Sequence, residues 1–163
     1  AALLAALPQT AIWLDGGFRD AATFTALVRH LGPAAARLTP VFASESLPDR
    51  QTAQACLADP AACLLSLDRR GEQPLDPAGC WHAESLWPTR LIVMTLDRVG
   101  AFAGPELATL VDLRRRAPQV RLIGAGGIRD EADLTAAAAA GAEAWLVASA
   151  LHDRRLARRD SAT

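Results

Sequence analysis

The 163-residue sequence has no tyrosine, a single methionine (Met94) and only three cysteines, Cys56, Cys63 and Cys80. Three thiols cannot all pair, and none forms a CxxC, so neither a disulfide framework nor a thioredoxin-like motif is available. Three reduced thiols acting as small apolar side chains in a cytoplasmic protein are the expectation. The histidines, His30, His82 and His152, are scattered, and none stands at metal-ligand spacing from another His or Cys. No metal site is assigned, and no cofactor. An excess of either charge is also lacking: 17 basic and 18 acidic residues leave a net charge of -1. That excludes the electrostatic footprint of a nucleic-acid or anionic-membrane binder. No apolar run approaches the roughly 20 residues of a membrane span. The apolar opening, Ala1 to Leu7, lacks the basic stretch of a signal peptide.

What is present is alternation. Short apolar runs at Ala11–Asp15, Leu38–Ala43, Ala62–Asp68, Leu91–Leu96, Val120–Ala125 and Ala144–Val147 read as strands. They are continuously apolar, as strands buried on both faces must be. Helical patterns lie between them at Ala21–Leu31, Asp49–Leu57, Pro105–Arg116 and Glu131–Ala140, and Ala1–Leu7 reads as one more helix. Asp20 and Asp130 are N-cap candidates. Gly71–Pro88 reads as a long loop without a linker, so residues 1–163 are expected to form one domain. Strand and helix in regular order mean parallel βαβ units.

An internal repeat separates an open sheet from a barrel. Gly16-Gly17-Phe18-Arg19-Asp20 recurs 110 residues later as Gly126-Gly127-Ile128-Arg129-Asp130. Each copy follows a strand and opens a helix. The next strands end alike, in Ala43-Ser44 and Ala148-Ser149. That offset spans four βα units, and two such halves make a (βα)8 TIM barrel of roughly 220 residues. Strands three to eight are then expected here, with strands one and two before Ala1.

A glycine pair between a strand and a helix lets backbone N–H groups approach an anion. The repeat therefore proposes two phosphate sites facing each other across the barrel mouth. Gly126, Gly127, Arg129 and Ser149 would form one, and Gly16, Gly17, Arg19 and Ser44 the other. Asp68 ends a buried strand at the ligand side, where a carboxylate serves acid–base chemistry. The loop from Gly100 to Gly104 is placed to cover a substrate, and Trp81 to stack on one. The expected partner is a phosphorylated small molecule.

Several stretches resemble, in order, the histidine-biosynthesis isomerase and cyclase barrels, the HisA/HisF family. Gly16-Gly17-Phe18-Arg19 resembles its GGGIR, and Ser66-Leu67-Asp68-Arg69-Arg70-Gly71 its SLDxRxG. Arg98 to Gly104 resembles its RDGTxxG loop, and Val147-Ala148-Ser149-Ala150-Leu151 its VGxAL. The resemblance implies the ribulose-phosphate-binding TIM barrel. It further implies an isomerase performing an Amadori rearrangement of a phosphorylated aminosugar, an intramolecular oxidoreductase or lyase, with Asp68 as the strand-five acid or base. Its strand-one partner would precede Ala1. Four positions depart from the pattern: Val99 replaces a carboxylate, Met94 a threonine, and Ala43 and Ala148 replace glycines. Leu96 to Gly100 and Ala150-Leu151-His152-Asp153 resemble a divergent branch linked to tetrahydromethanopterin and methanofuran one-carbon metabolism. That branch implies a paralogue that is a binding or scaffold protein.

Overall fold

All six apolar runs form strands in the computed structural model, which describes residues 2–156. They are β1 (Ile12–Asp15), β2 (Leu38–Ala43), β3 (Leu64–Arg70), β5 (Arg90–Thr95), β6 (Arg121–Ala125) and β7 (Ala144–Leu146). A two-residue strand, β4 (Gln73–Pro74), folds back antiparallel on the end of β3 and was not anticipated. The remaining pairings are parallel, in the order β1-β2-β3-β5-β6-β7.

The crossovers are helical: α2 (Ala21–Leu31), α3 (Arg50–Cys56), α4 (Ala108–Arg116) and α5 (Glu131–Ala139), with α1 (Ala2–Ala6) ahead of β1 and α6 (Ser149–His152) after β7. Asp20, Asp49 and Asp130 each cap a helix, their carboxylates accepting first-turn N–H groups. Between β3 and β5, two 3-10 turns at Cys80–His82 and Glu84–Leu86 replace the α-helix. Asp76 fixes the first of these by accepting from the N–H groups of Cys80 and Trp81 at 2.8 and 2.7 Å.

Alternate residues of each strand face two different cores. Phe42, Leu65, Leu67, Leu91, Val93 and Leu122 point outward into the helix layer, against Leu110 and Leu113 of α4. Val41, Leu64, Ile92, Ile123 and Ala125 form a thinner inner cluster. The sheet curls around that inner side. β1 and β5 are separated by two strands, about 14 Å in a flat sheet, yet Arg90 of β5 lies 5.4 Å from the centre of the Trp13 ring of β1. Six parallel strands curled in this way form a partial TIM barrel. Its outermost strands are β1 and β7, as expected for strands three and eight, and among the described residues they do not pair with each other. Their inner faces are the least covered: Trp13 is 36% exposed and Leu146 40%.

One glycine is set by packing that the motifs did not reveal. Gly124 of β6 is the register partner of Trp145 on β7. A β-carbon there would lie 2.2 Å from the indole. The ring occupies the space a side chain would take, and its N–H donates to the carbonyl of Gly126 at 3.0 Å. Gly124→Ala should therefore cost about 1–3 kcal/mol by overpacking. Urea denaturation of the two proteins measures this, and an unchanged midpoint would refute the account.

Candidate functional site

Strand register decides which side chains meet at the open end of the barrel. Asp68, Met94, Ala125 and Leu146 are successive partners across β3, β5, β6 and β7. Partners in a parallel sheet point to the same face, so these four form one inner row at the C-terminal strand ends.

A cavity of about 210 Å³ opens beside this row. Met94, Ala125 and Leu146 form its floor, and Gly100, Gly126, Gly127 and Ser149 contribute to its rim. Four residues predicted for the second anion site and its covering loop are thus brought together. The glycines also serve loop packing. Both Gly126 and Gly127 have φ of +85°, and a β-carbon on Gly127 would lie 2.3 Å from the carbonyl oxygen of Gly104. Gly104 thus supports the rim from behind and does not line it. Among the described residues, no carbonyl or carboxylate accepts from the N–H of Gly127 or Ala148. Those donors and the Ser149 hydroxyl are among the polar groups of the cavity lining.

Arg129, expected as an anion ligand, is directed elsewhere. Its guanidinium forms a two-pronged pair with Asp133 at 2.8 Å on both contacts, across one turn at the start of α5. The i,i+4 spacing of these two residues was the available signal.

The first glycine pair behaves differently. The Gly17 N–H donates to the Asp15 carboxylate at 3.0 Å, so a negative group already occupies the place of an anion. Arg19 is exposed, and Gly16, Gly17 and Arg19 do not line the cavity. Ser44 is fully buried. Its hydroxyl accepts from the Asp68 N–H at 2.9 Å and donates to the carbonyl of Leu75 at 2.8 Å. On this side lies an open groove that includes Glu45 and Asp76, two carboxylates that repel phosphate. The repeat therefore holds in the backbone and differs in the polar groups: only its second copy lines this cavity. Trp81 is also outside the cavity. Its ring is packed in the outer core, and its N–H donates to the carbonyl of Asp68 at 3.0 Å. It positions the β3 end and does not stack on a ligand.

Asp68 is 4% exposed and one strand away from the cavity floor. The Ser66 hydroxyl donates to its carboxylate at 2.7 Å, and the Ser44 hydroxyl lies 3.4 Å from the other oxygen. Burial pushes its carboxyl up to about 6, opposed by the Ser66 hydroxyl and the Glu45 N–H and aided by the charges of Glu45 and Asp15. A carboxyl titrating there exchanges a proton near neutrality, as a general acid or base must. Asp97 instead faces outward and accepts from the N–H of Gly71. The thiols of Cys63 and Cys80 are pushed up to about 11 and about 12 by burial, which keeps them protonated and unreactive.

The raised Asp68 value has a consequence for stability. Between 3.8 and about 6 the folded protein holds a proton that the unfolded chain has released, so stability falls as pH rises through that window. Relative to Asp68→Asn, the wild type should lose on the order of 2–3 kcal/mol between pH 4 and pH 6.5, then level off. Urea denaturation across pH 4–8 tests this, and a constant difference between the two proteins would contradict it.

Two comparisons bear on this geometry. No curated protein matches the chain. A family model described as "Histidine biosynthesis protein" matches residues 80–157. The matched segment contains β5 to β7 and every residue named above as lining the cavity, so the half of the chain that carries the cavity is similar to that family.

Proposed function

We propose that the chain belongs to the histidine-biosynthesis barrel family. In this reading it binds a phosphorylated metabolite in the Gly126–Gly127–Ser149 cavity, with Asp68 as acid or base for an isomerisation of the aldose–ketose type. The observation that carries the proposal is convergence. Gly100, Gly126, Gly127 and Ser149 come from three separate loops and line one cavity, at the strand ends where barrels place their chemistry. Next to it stands a buried carboxyl titrating near neutrality.

A second reading is favoured by one specific observation. Val99, where the family pattern carries a carboxylate, lines the cavity and is 56% exposed. Loss of that group favours a paralogue that retains ligand binding, as in the branch linked to one-carbon cofactor metabolism, and has given up turnover.

Titration with inorganic phosphate, followed by backbone amide NMR, tests the shared part. Shifts should concentrate at Gly126, Gly127 and Ser149 and weaken severalfold in Ser149→Ala. Shifts confined to other loops would reject the site. The two readings then separate on Asp68→Asn in the intact protein. An isomerase should lose about 10²-fold in turnover with phosphate affinity unchanged, whereas a binding protein should show no turnover to lose.

A further inference from the structure

The cavity walls limit what can be attached to the phosphate. Met94, Val99, Phe102, Ile128 and Leu146 present thioether, methyl and aromatic surface, and Ser149 supplies the one side-chain hydroxyl. A sugar phosphate brings several hydroxyl groups. Each one pressed against such walls gives up its water without gaining a partner, a desolvation cost that grows with every hydroxyl. An apolar body of the same size gains by leaving water instead. Rejection of this kind is steep only where polar groups are left unpaired, which is the position of a sugar here.

A counter-charge is also present. Of the arginines near the cavity, Arg129 is occupied by Asp133, and Arg98 donates to the carbonyl of Ala103 at 2.8 Å. The guanidinium of Arg155 stacks 4.5 Å from the centre of the Phe102 ring, and its carboxylate contact, with Asp153, is a long 3.8 Å. Phe102 holds φ of 48°, a left-handed conformation costly for a bulky residue. It is kept there between the glycine turns of its loop and the stacked cation. The wall residue stacked against Arg155 is therefore also the aromatic one.

We infer that the cavity takes an organic phosphate with a compact, apolar, ring-like body in place of a polyhydroxylated sugar phosphate, and that Arg155 supplies its counter-charge. This rests on the anion-binding part of the reading above, and it sides with the binding paralogue against the aldose–ketose isomerase, because a ligand without sugar hydroxyls is neither an aldose nor a ketose.

The test compares phenyl phosphate, ribose 5-phosphate and inorganic phosphate by calorimetry and amide NMR. Phenyl phosphate should bind at least tenfold more tightly than ribose 5-phosphate, with shifts at Gly126, Gly127 and Ser149. Arg155→Ala should weaken it about tenfold while Arg129→Ala leaves it unchanged, and Met94→Thr should narrow the preference. Amide spectra of each variant confirm that it is folded. Equal or tighter binding of ribose 5-phosphate would overturn the ligand class and leave the anion site standing. Sensitivity to Arg129→Ala and not to Arg155→Ala would overturn the counter-charge. Failure of all three compounds to bind would overturn both the ligand class and the anion site.

Discussion

Everything at the open end of this barrel depends on the lateral register of β3, β5, β6 and β7. A slip of one residue on any of these strands would send its inner residues to the helix side. Asp68, Met94, Ala125 and Leu146 stand in one row because the buried runs below them pin that register from both faces: Leu65, Leu91 and Leu122 outside, Leu64, Ile92 and Ile123 inside. Core packing thereby sets the spacing between an ionisable group and an apolar cavity floor one strand away.

Asp68 illustrates how a carboxyl is kept buried without being orphaned. Two serines, one on β3 and one following β2, share its polar groups, and its carbonyl accepts from both Leu75 and Trp81. The turn back through β4 brings Leu75 to that carbonyl. Removal from water raises the cost of its charge, while the hydroxyl of Ser66 prevents that cost from neutralising it altogether. The half-barrel repeat reaches its limit at the same place. Ser44 and Ser149 are equivalent by sequence, yet the first is a buried strut beneath the carboxyl and the second a rim residue of the cavity.

Much of the fold was legible because buried parallel strands leave continuous apolar runs, and aspartate caps mark helix starts. Each strand appeared within two residues of its expected ends, as did α2, α3 and α5. What escaped was short or polar. Gln73–Pro74 pairs through two residues only, and α6 is a single turn, neither long enough to show a period. The site was legible as a backbone pattern, so Gly126, Gly127 and Ser149 converge with Gly100. Side-chain direction was not. A GGxRD motif does not say that Arg129 turns back to Asp133, nor that Asp15 fills the place of an anion beside Gly17. Trp81 was misplaced because a tryptophan in a loop reads the same whether it faces a ligand or the core.

The indole of Trp145 does more than occupy the space above Gly124. Its hydrogen bond takes the carbonyl of Gly126 from the helix side of the sheet. A trans peptide is planar, and its N–H points opposite its carbonyl. The amide of Gly127 belongs to that same peptide, so fixing one end aims the other away from the indole. This peptide cannot flip without breaking a hydrogen bond, so an anion bound as proposed would meet a donor already oriented. The entropy of ordering that part of the loop is lost when the chain folds, and would not have to be lost again on binding.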